Sequence, residues 1–139
     1  PEQIRRYRDR ISGPLLDRID LQVPVTRLPR GVLSGAEPPT ADTSTLRDQV
    51  QRARIRQLAR QGKVNAQLSG PEVDQLAAIA QTQRQLVEDA VLKLGLSARA
   101  YYRILKVART IADLEDREAV EKSHIHEALH YRALDRPVR

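Results

Sequence analysis

Apolar residues recur at helical spacing across residues 96–114: Tyr101, Ile104, Leu105, Ala108, Ile111, Ala112 and Leu114 share one broad face. That is the pattern of a helix laid on a core, and Ser97 stands before it as a cap. Upstream, Leu86, Ala90 and Leu94, with Val87 and Val91 beside them, predict another helix that Gly95 stops. Ser69-Gly70-Pro71-Glu72 is a start signal with proline at the first helical position, opening a short helix through Leu76 and Ile79. A further helix runs to about Gln61, capped by Ser44 or Thr45, with Asp48 in its first turn and Gly62 after its end. Its apolar line (Leu46, Val50, Ala53, Leu58) is thin, so it needs a partner surface. Ser123 begins a last helix with Ile125, Ala128, Leu129 and Leu134 facing inward. Residues 46–136 thus read as a helical bundle of four or five helices, large enough to fold alone.

The pattern changes at the other end of the chain. In Ile-Asp-Leu-Gln-Val-Pro-Val at 19–25, Ile19, Leu21, Val23 and Val25 alternate onto one face, the period of a half-buried strand. Pro24 removes a ladder donor and places that strand at a sheet edge. No second strand is predicted, so either its partners lie on other residues or the segment is loosely ordered. Pro29, Gly31, Gly35, Pro38 and Pro39 then mark a linker. The expected division is 1–30, a linker over 31–45, and the helical domain over 46–136. The fold class is all-α, preceded by a largely unstructured segment with one orphan edge strand.

Composition narrows the chemistry. The 139 residues include no Cys, Met, Trp or Phe, which excludes disulfides, thiolate zinc sites and cysteine nucleophiles. The net charge is +6, and residues 46–63 alone carry six basic side chains against one acidic. Arg47, Arg52, Arg54, Arg56, Arg60 and Lys63 are therefore candidate contacts for nucleic-acid phosphates, DNA among them. Without interleaved aromatic residues, such binding would be electrostatic and salt-sensitive. An acidic protein partner would suit the same face. No membrane-length apolar run and no signal-peptide pattern is present, so a cytoplasmic protein is expected. The opening at Pro1 reads as a piece cut from something longer.

Among single residues, Arg99 stands out. It is the second helical residue after Ser97, where the helix dipole disfavours a cation. An anion such as phosphate between Arg99 and the helix end would account for it, as would a solvated arginine or a pair with an acid from another helix. Arg99, Arg103, Lys106, Thr110 and Asp113 form one polar stripe, expected to be the solvated side of its helix. Arg18, between Asp17 and Asp20, could pair locally or reach a phosphate on a neighbouring subunit. His126 and His130 lie four apart but lack the companions of a metal site, so the histidines are read as structural or surface residues and no metal is expected. No phosphate-binding glycine loop and no complete catalytic constellation is present.

Four stretches carry a resemblance. They are Ile-Ser-Gly-Pro-Leu-Leu-Asp-Arg-Ile-Asp-Leu at 11–21, Val-Asn-Ala-Gln-Leu at 64–68, Leu-Ser-Ala-Arg-Ala-Tyr-Tyr-Arg-Ile-Leu-Lys-Val-Ala-Arg-Thr-Ile-Ala-Asp-Leu at 96–114, and His-Ile-His-Glu-Ala-Leu-His-Tyr-Arg at 124–132. Together they resemble the C-terminal part of bacterial magnesium-chelatase-like AAA+ ATPases of the YifB/ComM group. The resemblance implies the end of a nucleotide-binding core over residues 1–30, then its helical lid. It implies that Arg18 is an arginine finger acting in trans and Arg99 the sensor-2 arginine. It implies ATP and Mg²⁺ as cofactors of the full-length protein, an upstream AAA+ core in the same chain, and a homo-oligomeric, hexameric ring. With Walker A, Walker B and sensor 1 expected upstream, the fragment itself is expected to be a monomer without ATPase activity or bound cofactor. The Tyr-Arg ending at 131–132 and the Ser-Ala-Arg-Ala-Tyr run favour the competence-type DNA motors of branch migration over a subunit of a true magnesium chelatase.

Overall fold

The computed structural model describes residues 15, 18–25, 27 and 42–132. Among them are five α-helices, which we number α1 (Thr43–Gln61), α2 (Gly70–Leu76), α3 (Gln81–Leu94), α4 (Ala98–Leu114) and α5 (Lys122–His130), with a 3₁₀ turn at Asn65–Gln67. Helix α4 is the axis of the fold and touches every other helix and the 3₁₀ turn. Its apolar arc buries Ile104, Leu105, Ala108, Ile111 and Ala112 against Leu68, Val73, Val87, Val91, Val120, Ile125 and Ala128. The all-α domain read from the periodicity is the domain observed.

The ends of the helices show which local signals prevailed. Ser97 caps α4 as expected, its Oγ accepting from Ala100 N–H at 3.1 Å. Ser69 and Glu72 form a reciprocal capping box on α2. Gly62 and Gly95 end α1 and α3 in the left-handed region, at φ +73° and +64°, where only glycine avoids a steric cost. Two starts differ from expectation. Helix α1 begins at Thr43 with Asp42 as its N-cap residue, and Ser44 turns its hydroxyl to the Asp42 carboxylate. The earlier start leaves Asp48 beyond the first turn, which holds no acid. Helix α5 begins at Lys122, ahead of Ser123, because the Glu121 N–H donates to Nδ1 of buried His124 at 2.9 Å. On α3 the buried residues are Val87 and Val91, with Leu86, Ala90 and Leu94 at the flanks of that face.

No strand occurs among the described residues. Residues 19–25 keep their alternation but not its expected burial: Ile19, Leu21, Val23 and Val25 are 40–92% exposed, while Gln22 on the opposite face is buried. The Gln22 N–H donates to the Tyr131 carbonyl at 2.8 Å. One such bond to a helix end cannot make a ladder, and without neighbouring strands the apolar face has nothing to cover it. The expectation of an unstructured segment before the helices falls mostly outside the described residues, as does Leu134. Within them, residues 18–22 are fastened to the bundle through Arg103, Arg132 and Tyr131.

Candidate functional site

The polar stripe of α4 is graded along the helix and not uniformly solvated. Asp113, near the C-terminal end, is buried and accepts two hydrogen bonds from Arg60 on α1, at 2.7 and 2.9 Å. It also accepts from Asn65 Nδ2 at 2.8 Å and faces Arg109 Nη2 at 3.1 Å. Burial alone would raise the Asp113 pKa, but the bonds from Arg60 and Asn65 and the charges of Arg109 and Arg60 outweigh it, leaving the carboxyl below its ordinary value. Asn65 also donates to Thr110 Oγ1 at 3.1 Å, and its backbone N–H donates to buried Gln57 at 2.9 Å. The stripe therefore changes role within four turns, from surface to the seam that holds α1 and the 3₁₀ turn to α4.

The same stripe also forms one wall of a cleft of about 730 Å³ that runs along α4 from Arg99 to Glu115. Arg99, Tyr102, Arg103, Lys106 and Thr110 line that wall, Leu68, Ser69 and Gly70 adjoin it, and Asp20, Leu21, Glu127 and Tyr131 also line the cleft. Its three cations differ in what they already hold. Lys106 donates to the Ala66 carbonyl at 3.3 Å. Arg103 donates to the Arg18 carbonyl at 2.9 Å and pairs with Asp20. The exposed Arg99 side chain has no hydrogen-bond or ion-pair partner among the described residues. It belongs to the first turn of α4, where N–H groups have no carbonyl four residues earlier to bond and the Ala100 N–H is taken by Ser97 Oγ. Chemically the Arg99 end of the cleft offers a guanidinium without a partner among the described residues, a group suited to an anion.

The other candidates are placed apart. Arg18 is exposed, with its backbone beside Arg103 and its guanidinium without a partner among the described residues. The six cations of 47–63 divide into two sets. Arg56 pairs with Asp116 at 2.6 Å, Arg60 with Asp113, and Lys63 with Glu72. Arg47, Arg52 and Arg54 are exposed on α1 and make no ion pair among the described residues. The Lys63 bond and the bonds from the Ser69 N–H and hydroxyl lower the Glu72 pKa to about 2. Among the described residues no group of three His, Cys, Asp or Glu side chains could hold a metal, and His126 and His130 are exposed. No helix among them is long and apolar enough to cross a membrane.

Sequence reasoning passed over Arg109, which is fully buried and donates to the Glu118 and Arg117 carbonyls at 2.6 Å each, folding the loop after α4 around itself. The available signal was an arginine inside an otherwise apolar arc with an aspartate four residues on. The tethering role of Arg103 had no local signal, because its partners lie more than 80 residues away in sequence.

Residues 40–132 match the family described as magnesium chelatase, subunit ChlI C-terminal, and residues 1–33 match magnesium chelatase, subunit ChlI. The chain is 43% identical over 136 residues to the uncharacterized protein YifB of Escherichia coli strain K12 and to the competence protein ComM of Haemophilus influenzae. Each alignment takes in 98% of this chain and 27% of the relative. An uncharacterized protein of Mycobacterium bovis is 34% identical over 132 residues, 92% of this chain and 26% of its own length. The chain thus spans about a quarter of the length of the curated relatives it matches.

Proposed function

Because this chain belongs to the magnesium-chelatase-like YifB/ComM family as its C-terminal domain, we propose that its helices form the lid of an AAA+ ATPase ring. In this reading Arg99 contacts the phosphates of the nucleotide held by its own subunit, and Arg18 contacts a phosphate held by the neighbour. The observation that carries it is the state of Arg99: the one cation of the cleft without a partner among the described residues, set at a helix N-terminus where the dipole disfavours a cation and a bound anion would offset that. When bound, ATP with Mg²⁺ supplies the γ-phosphoryl group whose transfer to water drives such a ring. Arg99 then adds positive charge beside the α4 N–H groups and orients the lid over the phosphates. The exposed Arg18 guanidinium, without a partner among the described residues, has the freedom to reach across an interface. The ring itself, with an upstream core and six subunits, is part of this proposal, as is the inactivity of the fragment on its own, for which the expected cause is the missing phosphate loop.

The test uses the full-length protein. Arg99→Ala should weaken ATP binding, and Arg18→Ala should lower turnover by about 10²-fold or more, the scale of removing a group that stabilises developing charge. Unchanged turnover in both variants sinks the assignment. Mixing Arg18→Ala subunits with a phosphate-loop variant should restore part of the activity if Arg18 acts in trans, once mixed rings are shown to assemble. A DNA motor for branch migration is the favoured task, supported by the likeness to a competence protein and by the exposed Arg47, Arg52 and Arg54. A metal-inserting chelatase subunit and a free-standing basic module that binds nucleic acid or protein are the alternatives. DNA-stimulated ATP turnover separates the motor from both.

A further inference from the structure

The described residues ahead of α1 meet the bundle around Arg18. Arg103 Nη1 donates to the Arg18 carbonyl at 2.9 Å and also reaches the Asp20 carboxylate. Arg132 Nη1 donates to the Ile19 carbonyl at 2.6 Å, and the Gln22 N–H donates to the Tyr131 carbonyl at 2.8 Å. The Arg18 N–H donates to the Leu15 carbonyl at 3.0 Å, closing a turn directly ahead of these contacts. The segment is therefore held mainly through its backbone, while Ile19 and Leu21 stay 40% and 50% exposed. Apolar burial does not hold it; directed hydrogen bonds do, and Arg103 supplies the one from the bundle to Arg18 itself and another to Asp20.

Arg103 follows Arg99 by four residues on α4, about one turn or ~6 Å along the axis. A capped, packed helix is stiff over that distance, so a displacement of the turn bearing Arg99 carries Arg103 with it. We propose that Arg103 is a positioning residue that fastens the backbone of Arg18 to the helix turn bearing Arg99, so that phosphate sensed within one subunit is relayed to the site Arg18 serves on the next. The proposal rests on the roles given to Arg18 and Arg99 above and adds the physical link between them. Both contacts come from a single nitrogen, so a lysine ammonium can replace it, whereas a bidentate fork could not be replaced in this way.

Two measurements test it. In the 139-residue chain, Arg103→Ala should speed amide exchange at residues 18–22, the Gln22 N–H included, by about tenfold or more, with the amides of 104–112 unchanged. Arg103→Lys should keep most of the protection. In the full-length protein, Arg103→Ala should lower kcat by about 10 to 10²-fold, the scale of displacing a catalytic group by ~1 Å, with KM for ATP unchanged and with recovery in Arg103→Lys. Adding Arg103→Ala to Arg18→Ala should cost nothing further, since one residue acts through the other. Unchanged exchange in Arg103→Ala overturns the tether. Additive losses, or a raised KM at constant kcat, overturn the positioning role. Unchanged turnover in Arg18→Ala overturns the reading of Arg18 and the relay with it, and is distinguishable because the exchange measurement does not depend on it.

Discussion

Asp113 shows how much one side chain can organise. It gathers Arg60, Asn65 and Arg109 from three parts of the chain, and removing it would leave Arg109 as a buried cation satisfied only by two carbonyls. Asp113→Ala should therefore destabilise the domain by about 3 kcal/mol, the low end for breaking a buried pair because Arg60 stays partly exposed. Urea unfolding at pH 7 measures this. The same carboxyl makes stability pH-dependent. Its pKa is depressed in the folded state, so its contribution is complete above the unfolded value near 3.8 and disappears as acidification titrates the folded carboxyl. Glu72 acts in the same direction, its contribution complete above 4.5 and lost as pH falls toward about 2. The urea midpoint should fall steadily from pH 5 to pH 2, and Glu72→Gln should flatten part of that slope.

At the scale of elements, the helices divide by what holds them. Helix α4 is capped and buries Ile104, Leu105, Ala108, Ile111 and Ala112, so Ile104→Ala should cost about 2–5 kcal/mol. Helix α1 has only Ala53 and Gln57 buried, and Leu46 and Val50 remain 49% and 59% exposed. The double change Leu46→Ser with Val50→Ser should shift stability by less than about 0.5 kcal/mol per site, as surface changes do. Between elements the chain turns where glycine permits: Gly95→Ala meets no neighbouring atom but forces alanine to φ +64°, a cost of about 1 kcal/mol from backbone conformation alone. Denaturant midpoints of the three variants rank these expectations directly.

For the whole molecule, the basic character of the chain is less available than its charge of +6 suggests. Arg56, Arg60 and Lys63 are paired within the fold, leaving Arg47, Arg52 and Arg54 as the unpaired set among the described residues of that segment. If these three carry DNA binding by the fragment, the plot of log affinity against log salt should have a slope of magnitude about 3 at most, and binding should fade near physiological salt. A slope nearer 6 in a titration with duplex DNA would mean that the internal pairs open to the ligand.

Periodicity and punctuation were enough to determine an all-α domain here, because the signals for α4, for the Ser69 capping box and for the glycine stops act within a few residues of one another. The same local logic marked Arg99, whose oddity is its place at a helix start. What local logic could not assign was the fate of polar residues whose partners are distant. The stripe from Arg99 to Asp113 looks alike along its length in sequence, yet α1 and the 3₁₀ turn close over Asp113 while Arg99, Arg103, Lys106 and Thr110 line an open cleft. Likewise the alternation at 19–25 states which side chains share a face, but only packing decides which face is covered. Here it is the face of Gln22, because the contacts available come from Tyr131, Arg103 and Arg132 on the bundle and not from a neighbouring strand.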